Sequence, residues 1–257
     1  MSGEIVVVKF GGTSLGGPRR IRRAAARVRA HLRAGRRPVV VVSAVGRTTD
    51  RILRQLGRVA GAHPGGSDRE VDRALATGEA RASALVALAL SRLGVAARSL
   101  SGPEAGVAVA GPFGAGRIRG VDPLPLLELL HAGVTPVVCG FQGRRADGET
   151  VTLTRGGSDT TAVALAATFW SPCELVTDVD AVYDRDPRLD PGAVPFRTLA
   201  HEDLVVLATR GAQVVHPEAA RLARAARVPL TVHHHRAGFR AEPGTVVGDL
   251  RPREVAA

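Results

Sequence analysis

Short β-branched apolar runs alternate with longer amphipathic stretches along this chain. Runs rich in valine and isoleucine predict buried strands at Ile5–Phe10, Pro38–Val42 and Thr135–Gly140. Apolar positions at helical spacing predict helices between them, of which Pro18–Ala34 and Asp68–Leu93 are the longest. This alternation is typical of a mainly parallel sheet with helices on both faces. We therefore predict an α/β fold, a three-layer αβα sandwich around an open sheet.

Weaker patterns complete the predicted order of elements. Further helices are expected at about Asp50–Val59, Pro123–Ala132, Thr160–Phe169, His201–Ala208 and Pro217–Arg227. Further strands are expected at Ala96–Leu100, Gly106–Val109, Arg117–Val121, Glu174–Asp178 and Leu230–His234, with a polar hairpin at Arg144–Thr154. No repeat or linker interrupts this order, so residues 1–257 are predicted to form one domain.

Two glycine-rich segments each follow a predicted strand and precede a helix. The first contains Gly11 and Gly12, and the second runs from Arg155 through Gly156 and Gly157. Paired glycines let backbone N–H groups approach phosphate oxygens, and a helix N-terminus favours negative charge. Because the ends of parallel strands share one edge of a sheet, both segments are expected at one anion site. The alternative is two ordinary turns, the second capped by Ser158 or Asp159.

Lys9 is the only lysine in the sequence and stands at the end of the first predicted strand. A compact ammonium in that place can neutralise charge that develops on a transferred phosphoryl group. Asp159 could orient it, and Arg155 could bind a carboxylate through two hydrogen bonds. The spacing of the common P-loop is absent.

An acidic loop, TDVDAVYDRDPR, follows the strand predicted at Glu174–Asp178. Such a loop can hold a metal-bound nucleotide or its ribose, and it can equally be a solvated turn. His233 and His235 would share one face of the last strand. We find no third ligand for them and predict no metal site.

Charge and composition exclude some classes of function. The net charge is +11 and the pI near 11.3, but the positive charge is dispersed arginine and aromatic residues are only 3%. We therefore expect no dedicated nucleic-acid partner. Without a membrane-length apolar run or an export signal, we expect a cytoplasmic protein with no membrane partner. Cys139 and Cys173 lie in apolar segments and are expected to be buried free thiols.

Seven segments resemble aspartokinase, a member of the amino acid kinase superfamily, in the same order along residues 4 to 247. They are KFGGTS, SAVGRTTD, ATGEARASALVALAL, GFQG, RGGSDTTAVALAA, TDVDAVYDRDPR and the ending VVHPEA…VPLTV…EPGT. The resemblance implies the amino acid kinase fold, with an N-terminal substrate lobe and a C-terminal nucleotide lobe. It also implies that ATP, with Mg²⁺, phosphorylates the β-carboxylate of L-aspartate. The product, 4-phospho-L-aspartate, would lead toward lysine, threonine and methionine.

The resemblance also assigns roles to residues. Lys9 would stabilise the transferring phosphoryl group, and Asp159 would organise the groups that bind phosphate. The positions matching the aspartate site are Thr49, Glu79, Phe141, Arg155 and Ser158, with Glu79 on the α-amino group and Arg155 on a carboxylate. The positions matching the nucleotide site are Lys9, Phe10, Gly11, Gly12, Gly156, Gly157, Thr177, Asp178, Tyr183 and Arg188.

The sequence departs from the family in three ways. Related enzymes continue into paired ACT regulatory domains, whereas this sequence ends about ten residues after EPGT. We expect a catalytic domain alone, a homodimer, and regulation, if any, by a separate subunit. Ala181 replaces a glycine, and a positive φ there would cost about 1 kcal/mol. Gln213 replaces a lysine that contacts nucleotide in relatives. Two alternatives therefore stay open: a kinase for another small carboxylate, or a non-catalytic binding subunit.

Overall fold

The computed structural model describes residues 3–60, 69–185, 187, 189–210 and 214–248. The helices are α1 (Pro18–Arg33), α2 (Thr48–Ala60), α3 (Arg69–Ser91), α4 (Leu124–His131), α5 (Gly157–Thr168), α6 (His201–Thr209) and α7 (Pro217–Ala226). The strands are β1 (Ile5–Phe10), β2 (Arg37–Val42), β3 (Ala97–Leu100), β4 (Val107–Ala110), β5 (Arg117–Val121), β6 (Thr135–Cys139), β7 (Gln142–Arg144), β8 (Thr150–Thr152), β9 (Cys173–Thr177), β10 (Val182–Tyr183), β11 (Pro195–Phe196), β12 (Thr198–Leu199), β13 (Leu230–His234) and β14 (Thr245–Val247).

An eight-stranded sheet organises the molecule, in the order β12-β14-β13-β9-β1-β2-β6-β3. Six neighbouring strands, from β13 to β3, are parallel, while β14 is antiparallel to β13. From β1 the chain crosses to β2 on one side, whereas β9 pairs with β1 on the other. Such a reversal of strand order opens a crevice at the carboxyl ends of the strands, where ligands bind in open α/β sheets.

Two apolar cores lie on opposite faces of this sheet and give the predicted three layers. On one face Val6, Val8 and Phe10 of β1 pack with α1 and α3. On the other face Val7 belongs to a core that includes α4, α5, α6 and α7. Since side chains alternate along a strand, Lys9 follows Val7 and points toward the α5 layer. The predicted αβα sandwich is confirmed.

A second sheet of four strands, in the order β5-β4-β7-β8, packs against α3 and α5. The polar hairpin predicted at Arg144–Thr154 is present as the antiparallel pair β7–β8, although it begins two residues earlier. The strands β10, β11, β12 and β14 were not predicted. They are two or three residues long, which is too short to show a periodic pattern.

Other predictions concern single residues. Both thiols are free and buried as expected, and burial raises the pKa of Cys139 to about 12. Ala181 is buried and does not have the left-handed backbone that would have penalised it. Gln213 lies outside the described residues. Among the described helices, none is long and apolar enough to cross a membrane.

Candidate active site

A cleft of about 430 Å³ opens where β1, β2 and β6 end beside the first turn of α5. Most of the residues predicted for the aspartate and phosphate sites line it together. They are Lys9, Gly12, Thr49, Glu79, Phe141, Arg155, Gly156, Gly157, Ser158 and Asp159. The two glycine-rich segments, far apart in sequence, therefore meet at one site, as predicted from the shared edge of the sheet.

The ammonium group of Lys9 lies 2.6 Å from Asp159 Oδ1. Both side chains are largely buried, with 12% and 14% of their surface exposed. A charge pair in such a partly desolvated position is more strongly coupled than one in water. The pair fixes the only lysine at the base of the cleft.

Asp159 therefore does not cap α5. The N-cap of this helix is Gly156, and no side chain forms a capping hydrogen bond. The interpretation of Ser158 or Asp159 as an ordinary N-cap is wrong, because Asp159 faces Lys9 and buried Ser158 lines the cleft. The Gly157 and Asp159 N–H groups donate to the backbone carbonyls of Thr154 and Gly156. The first turn of α5 therefore favours an anion in the cleft through the helix dipole.

Gly156 needs to be glycine for two independent reasons. Its φ of 83° lies in the left-handed region, and a Cβ on it would overlap the ring of His216. His216 immediately precedes α7, and Glu218 in the first turn of α7 accepts a 3.3 Å hydrogen bond from the Thr154 hydroxyl. The start of α7 thus braces the loop that carries Arg155.

Gly12 brings the first glycine loop against the loop that follows β2. A Cβ on Gly12 would lie 2.5 Å from the carbonyl oxygen of Ala44. The Gly12 carbonyl accepts a 2.8 Å hydrogen bond from the Gly46 N–H. This close approach closes one wall of the cleft, so the glycine at position 12 is explained by packing between loops as well as by anion binding.

Gly11 and Phe10 are placed differently from their predicted roles. The Gly11 N–H donates a 3.0 Å hydrogen bond to the Val176 carbonyl, which also accepts one from the Ser14 hydroxyl. The side chain of Phe10 is in the apolar core. Neither residue lines the cleft. Any contact of Phe10 with nucleotide would involve its backbone alone.

Glu79 is a buried carboxylate in the wall of the cleft. Only 3% of its surface is exposed. Its Oε1 accepts a 2.9 Å hydrogen bond from the Ala44 N–H, while Oε2 has no partner within the described residues. Burial raises the pKa of Glu79 to about 7, against a smaller lowering by the Ala44 hydrogen bond. A cation that enters the cleft would meet a carboxylate oxygen that has no other partner.

Gly78 lets Glu79 approach this loop. A Cβ on Gly78 would lie 2.9 Å from the Cβ of Ala44. The sequence predicts a kink or a close approach at this glycine, and the structure shows the close approach within an unbroken helix.

Arg155 and Phe141 complete the aspartate side of the cleft. Arg155 is exposed and forms no salt bridge with any residue in the described part of the chain, so its guanidinium is available to a ligand. Phe141 has a φ of 69°, which is costly for an aromatic residue. The Phe141 N–H donates a 3.2 Å hydrogen bond to the Thr161 hydroxyl, which helps to hold this backbone conformation. Strained backbone of this kind concentrates at functional sites.

The nucleotide residues predicted on the acidic loop lie beyond the cleft, at the end of β9. Thr177 follows Val176, which pairs with Phe10 of β1. The Thr177 hydroxyl donates to Asp178, and the Tyr183 hydroxyl donates a 2.8 Å hydrogen bond to Asp180, which raises the pKa of Tyr183. These residues lie next to the glycine-rich segment that contains Gly11, but they do not line the cleft. Arg188 lies outside the described residues.

Part of the cleft wall was not predicted from the sequence. The connection from β2 to α2 supplies Ser43, Ala44, Gly46 and Arg47, and α2 itself supplies Asp50 and Leu53. Leu75, Gly114 and Thr152 also line the cleft. The helical spacing of Leu75 and Glu79 was a usable signal, because residues four apart lie on one face of a helix. Gly114 and Thr152 carried no such signal.

The histidines at the end of β13 and immediately after it do not line the cleft. His235 is hydrogen-bonded through Nδ1 to the Thr177 carbonyl, and its ring stacks on that of His234. Burial lowers the pKa of His233. Over the residues the structure describes, no group of three or more His, Cys, Asp or Glu side chains could hold a metal.

Proteins similar to this chain include aspartokinases from several bacteria. The pattern of the Amino acid kinase family matches residues 4–234. The aspartokinase of Mycolicibacterium smegmatis is 42% identical over 245 residues, 95% of this chain and 57% of the relative. The chain thus spans little more than half the length of such relatives.

Two solved structures share the architecture. The aspartate kinase from Synechocystis superposes with a TM-score of 0.81 at 39% identity, over 95% of this chain and 40% of that one. E. coli aspartokinase III, solved in complex with aspartate and ADP, gives a TM-score of 0.81 at 26% identity, over 95% and 64% of the two chains. With the family pattern matching residues 4–234, this chain belongs to the amino acid kinase family.

Proposed function

We propose that this chain transfers the terminal phosphoryl group of ATP to the β-carboxylate of L-aspartate, giving 4-phospho-L-aspartate and ADP. The observation that carries the proposal is the single cleft that holds Lys9, Glu79 and Arg155 together. The similarity to aspartokinases, one of them solved with aspartate and ADP, supports the same substrates here.

The charges of the cleft match a zwitterionic diacid. The buried carboxylate of Glu79 suits an α-ammonium group, because its Oε2 lacks a partner. The guanidinium of Arg155 suits a carboxylate, which it can bind through two hydrogen bonds. An acid whose amine is acylated would leave Glu79 buried and unpaired, so an N-acetylated substrate fits poorly.

Chemistry in this cleft requires little proton transfer. The β-carboxylate of aspartate is already ionised at neutral pH and acts as the nucleophile. Its oxygen forms a bond to the γ-phosphorus while the bond from that phosphorus to the β,γ-bridging oxygen breaks, and ADP leaves with the electron pair. The negative charge of the transferring group then meets the ammonium of Lys9 and the positive end of the α5 helix dipole.

Asp159 holds Lys9 in place before the reaction. A flexible lysine would otherwise lose conformational freedom during each turnover, and a pre-positioned one does not. Asp159 thus acts through Lys9 and through the position of the first turn of α5.

The nucleotide is proposed to extend from the glycine loops toward the end of β9. Thr177, Asp178 and Tyr183 would contact its base or ribose. The described acidic side chains form no independent metal site. Mg²⁺ is therefore expected to arrive with the phosphates of ATP, as it commonly does in kinases.

An ADP-release assay with a panel of acids tests this proposal. We expect ATP-dependent turnover with L-aspartate that exceeds turnover with L-glutamate and N-acetyl-L-aspartate. Faster turnover with another small carboxylate would show that this acid, and not aspartate, is the substrate. If well-folded protein turned over none of them, the proposed activity would be wrong.

A further inference from the structure

Asp72 is a buried carboxylate that forms no salt bridge with any residue in the described part of the chain. It lies in the second half-turn of α3, and none of its surface is exposed. Its Oδ2 accepts hydrogen bonds from the Thr152 N–H at 2.7 Å and from the Gly114 N–H at 2.9 Å. Its Oδ1 accepts one from the Thr152 hydroxyl at 2.8 Å. Burying a carboxylate normally costs free energy of folding. Three convergent hydrogen-bond donors offset that cost here.

The three donors belong to two segments that line the cleft. Thr152 ends β8, three residues before Arg155, and Gly114 lies in the connection from β4 to β5. Both residues are part of the cleft wall. One side chain on α3 therefore holds two separate pieces of the opposite wall.

The same face of α3 carries the other side of the cleft. Residues at positions i, i+3 and i+7 of a helix lie on one face. On α3 these are Asp72, Leu75 and Glu79, and the last two line the cleft. A helix rises about 1.5 Å per residue, so the Asp72 anchor lies about 10 Å along the axis from Glu79.

Two further contacts join α3 to the hairpin on either side of Asp72. The Gln142 side chain donates a 3.2 Å hydrogen bond to the Ala76 carbonyl. Arg69 contacts Glu149 at 2.8 Å near the surface. Neither contact reaches the connection that contains Gly114, so Asp72 differs from both by holding two segments with one carboxylate.

We propose that Asp72 is a positioning residue that sets the distance between the Glu79 wall and the Arg155 wall of the substrate cleft. The inference rests on the proposed function, in which Glu79 and Arg155 bind opposite ends of one amino acid. Loss of the anchor would let β8 and the Gly114 segment move away from α3. The amino-acid site would then widen, while the nucleotide site at the end of β9 would keep its shape.

Asp72→Ala and Asp72→Asn test the proposal as a matched pair. Asparagine can accept both backbone N–H groups with its oxygen and donate its NH₂ to the Thr152 hydroxyl, so it preserves the anchor. Alanine removes all three hydrogen bonds. We expect Asp72→Ala to raise the KM for aspartate about tenfold or more, with the KM for ATP changed less than about twofold. Asp72→Asn should restore the KM for aspartate to within about threefold of the original protein.

A change of both KM values together, or of neither, would overturn the proposal, and so would an asparagine variant as impaired as the alanine one. If Asp72→Ala does not fold, Thr152→Val replaces it, because valine keeps the shape and removes one of the three hydrogen bonds. Its expected effect is a rise of about two- to fivefold in the KM for aspartate alone. An unchanged KM in that variant would also overturn the proposal.

Amide hydrogen exchange separates this inference from the proposed activity. The Gly114 and Thr152 amides should exchange at least about tenfold faster in Asp72→Ala, or in a folded Asp72→Leu, and at the original rate in Asp72→Asn. If the unaltered protein does not turn over aspartate, the proposed function fails, and the exchange rates still decide whether Asp72 holds the wall. Equal exchange in all variants would overturn the positioning role.

Discussion

Lys9 Nζ and Asp159 Oδ1, 2.6 Å apart, join the end of β1 to the first turn of α5. The two residues come from the two glycine-rich segments of the sequence. Their contact brings a fixed positive charge to the N-terminal end of a helix, where two sources of positive potential add. The proposed phosphoryl transfer depends on this convergence.

Lys9→Ala should remove catalysis and spare binding. The ammonium is expected to act on charge that exists mainly in the transition state, so its loss should lower kcat by about 10²- to 10³-fold or more. The dissociation constant for aspartate should change little, because Glu79 and Arg155 are intact. Rapid-quench or steady-state kinetics with calorimetric binding of aspartate measures both quantities.

Lys9→Arg is the matched control for charge. It keeps the positive charge but replaces a compact ammonium with a larger, planar guanidinium, which cannot take the same position beside Asp159. We expect a loss of kcat of at least about tenfold. Normal turnover in Lys9→Ala would contradict the role assigned to this residue.

Binding of aspartate should weaken as the pH falls below about 7. Burial raises the pKa of Glu79 to about 7, so the carboxyl is increasingly protonated below that pH. The α-ammonium of the substrate needs the ionised form. The dissociation constant should therefore rise about tenfold for each pH unit well below 7. Calorimetry at pH 6 and pH 8 measures the change, together with the proton released on binding at pH 6.

Glu79→Gln is the control for this linkage. The variant should bind aspartate weakly at every pH, with no dependence on pH between 6 and 8. A pH dependence that persists in Glu79→Gln would show that another group titrates.

The same carboxyl should influence stability in the absence of ligand. Its pKa is raised in the folded chain, from an ordinary 4.5 to about 7, so the folded state binds more protons between these values. The contribution is favourable at low pH and declines as the pH rises from 4.5 to 7, by roughly 3 kcal/mol at most. Comparing the pH dependence of unfolding in the original protein and in Glu79→Gln isolates this contribution. An identical pH dependence in both proteins would be inconsistent with the buried position of Glu79.

Gly156→Ala should be far more damaging than a matched substitution at Gly148. Both glycines have positive φ, 83° and 89°, but only Gly156 faces a neighbour, the ring of His216. Gly148→Ala should cost about 1 kcal/mol of unfolding free energy, from backbone strain alone. Gly156→Ala should cost at least about 3 kcal/mol and disturb the loop that carries Arg155. Chemical denaturation measures both values, and equal effects would refute the role of His216 as a brace.

Arg155→Lys should raise the KM for aspartate more than the KM for ATP. Lysine keeps the charge but loses the two parallel hydrogen bonds to a carboxylate, so we expect a rise of about ten- to a hundredfold for aspartate. Arg92→Lys is a suitable control, since that exposed arginine lies outside the cleft. Equal kinetic effects in the two variants would argue against a carboxylate contact at Arg155.

The main architecture could be predicted from the sequence because strong periodic patterns specify its longest strands and helices. The valine runs of β1, β2 and β6 and the helical spacing of α1 and α3 gave elements whose ends agree with the structure within about two residues. The rule that ligands bind at the carboxyl ends of parallel strands then brought Lys9 and Arg155 to one site. Long-range order therefore followed from local patterns and one topological rule.

Other features had no local signal. Asp72 looks like an ordinary surface carboxylate in the first turns of a helix, and only the fold shows that it meets Gly114 and Thr152. The overlap of Gly156 with His216 likewise depends on the packing of α5 against α7. Capping of α5 was a sound local interpretation of Asp159, but tertiary contact with Lys9 took precedence.

The most direct test of the account is chemical trapping of the product. Hydroxylamine converts an acyl phosphate to a hydroxamate. Chromatography with tandem mass spectrometry, against the two synthetic standards, distinguishes the 4-hydroxamate of aspartate from the isomeric 1-hydroxamate. With ATP, Mg²⁺ and L-aspartate, the account predicts the 4-hydroxamate in amounts equal to the ADP formed. In the same time Lys9→Ala should form about 100-fold less hydroxamate or lower still. ADP release without any hydroxamate, or formation of the 1-hydroxamate, would contradict it.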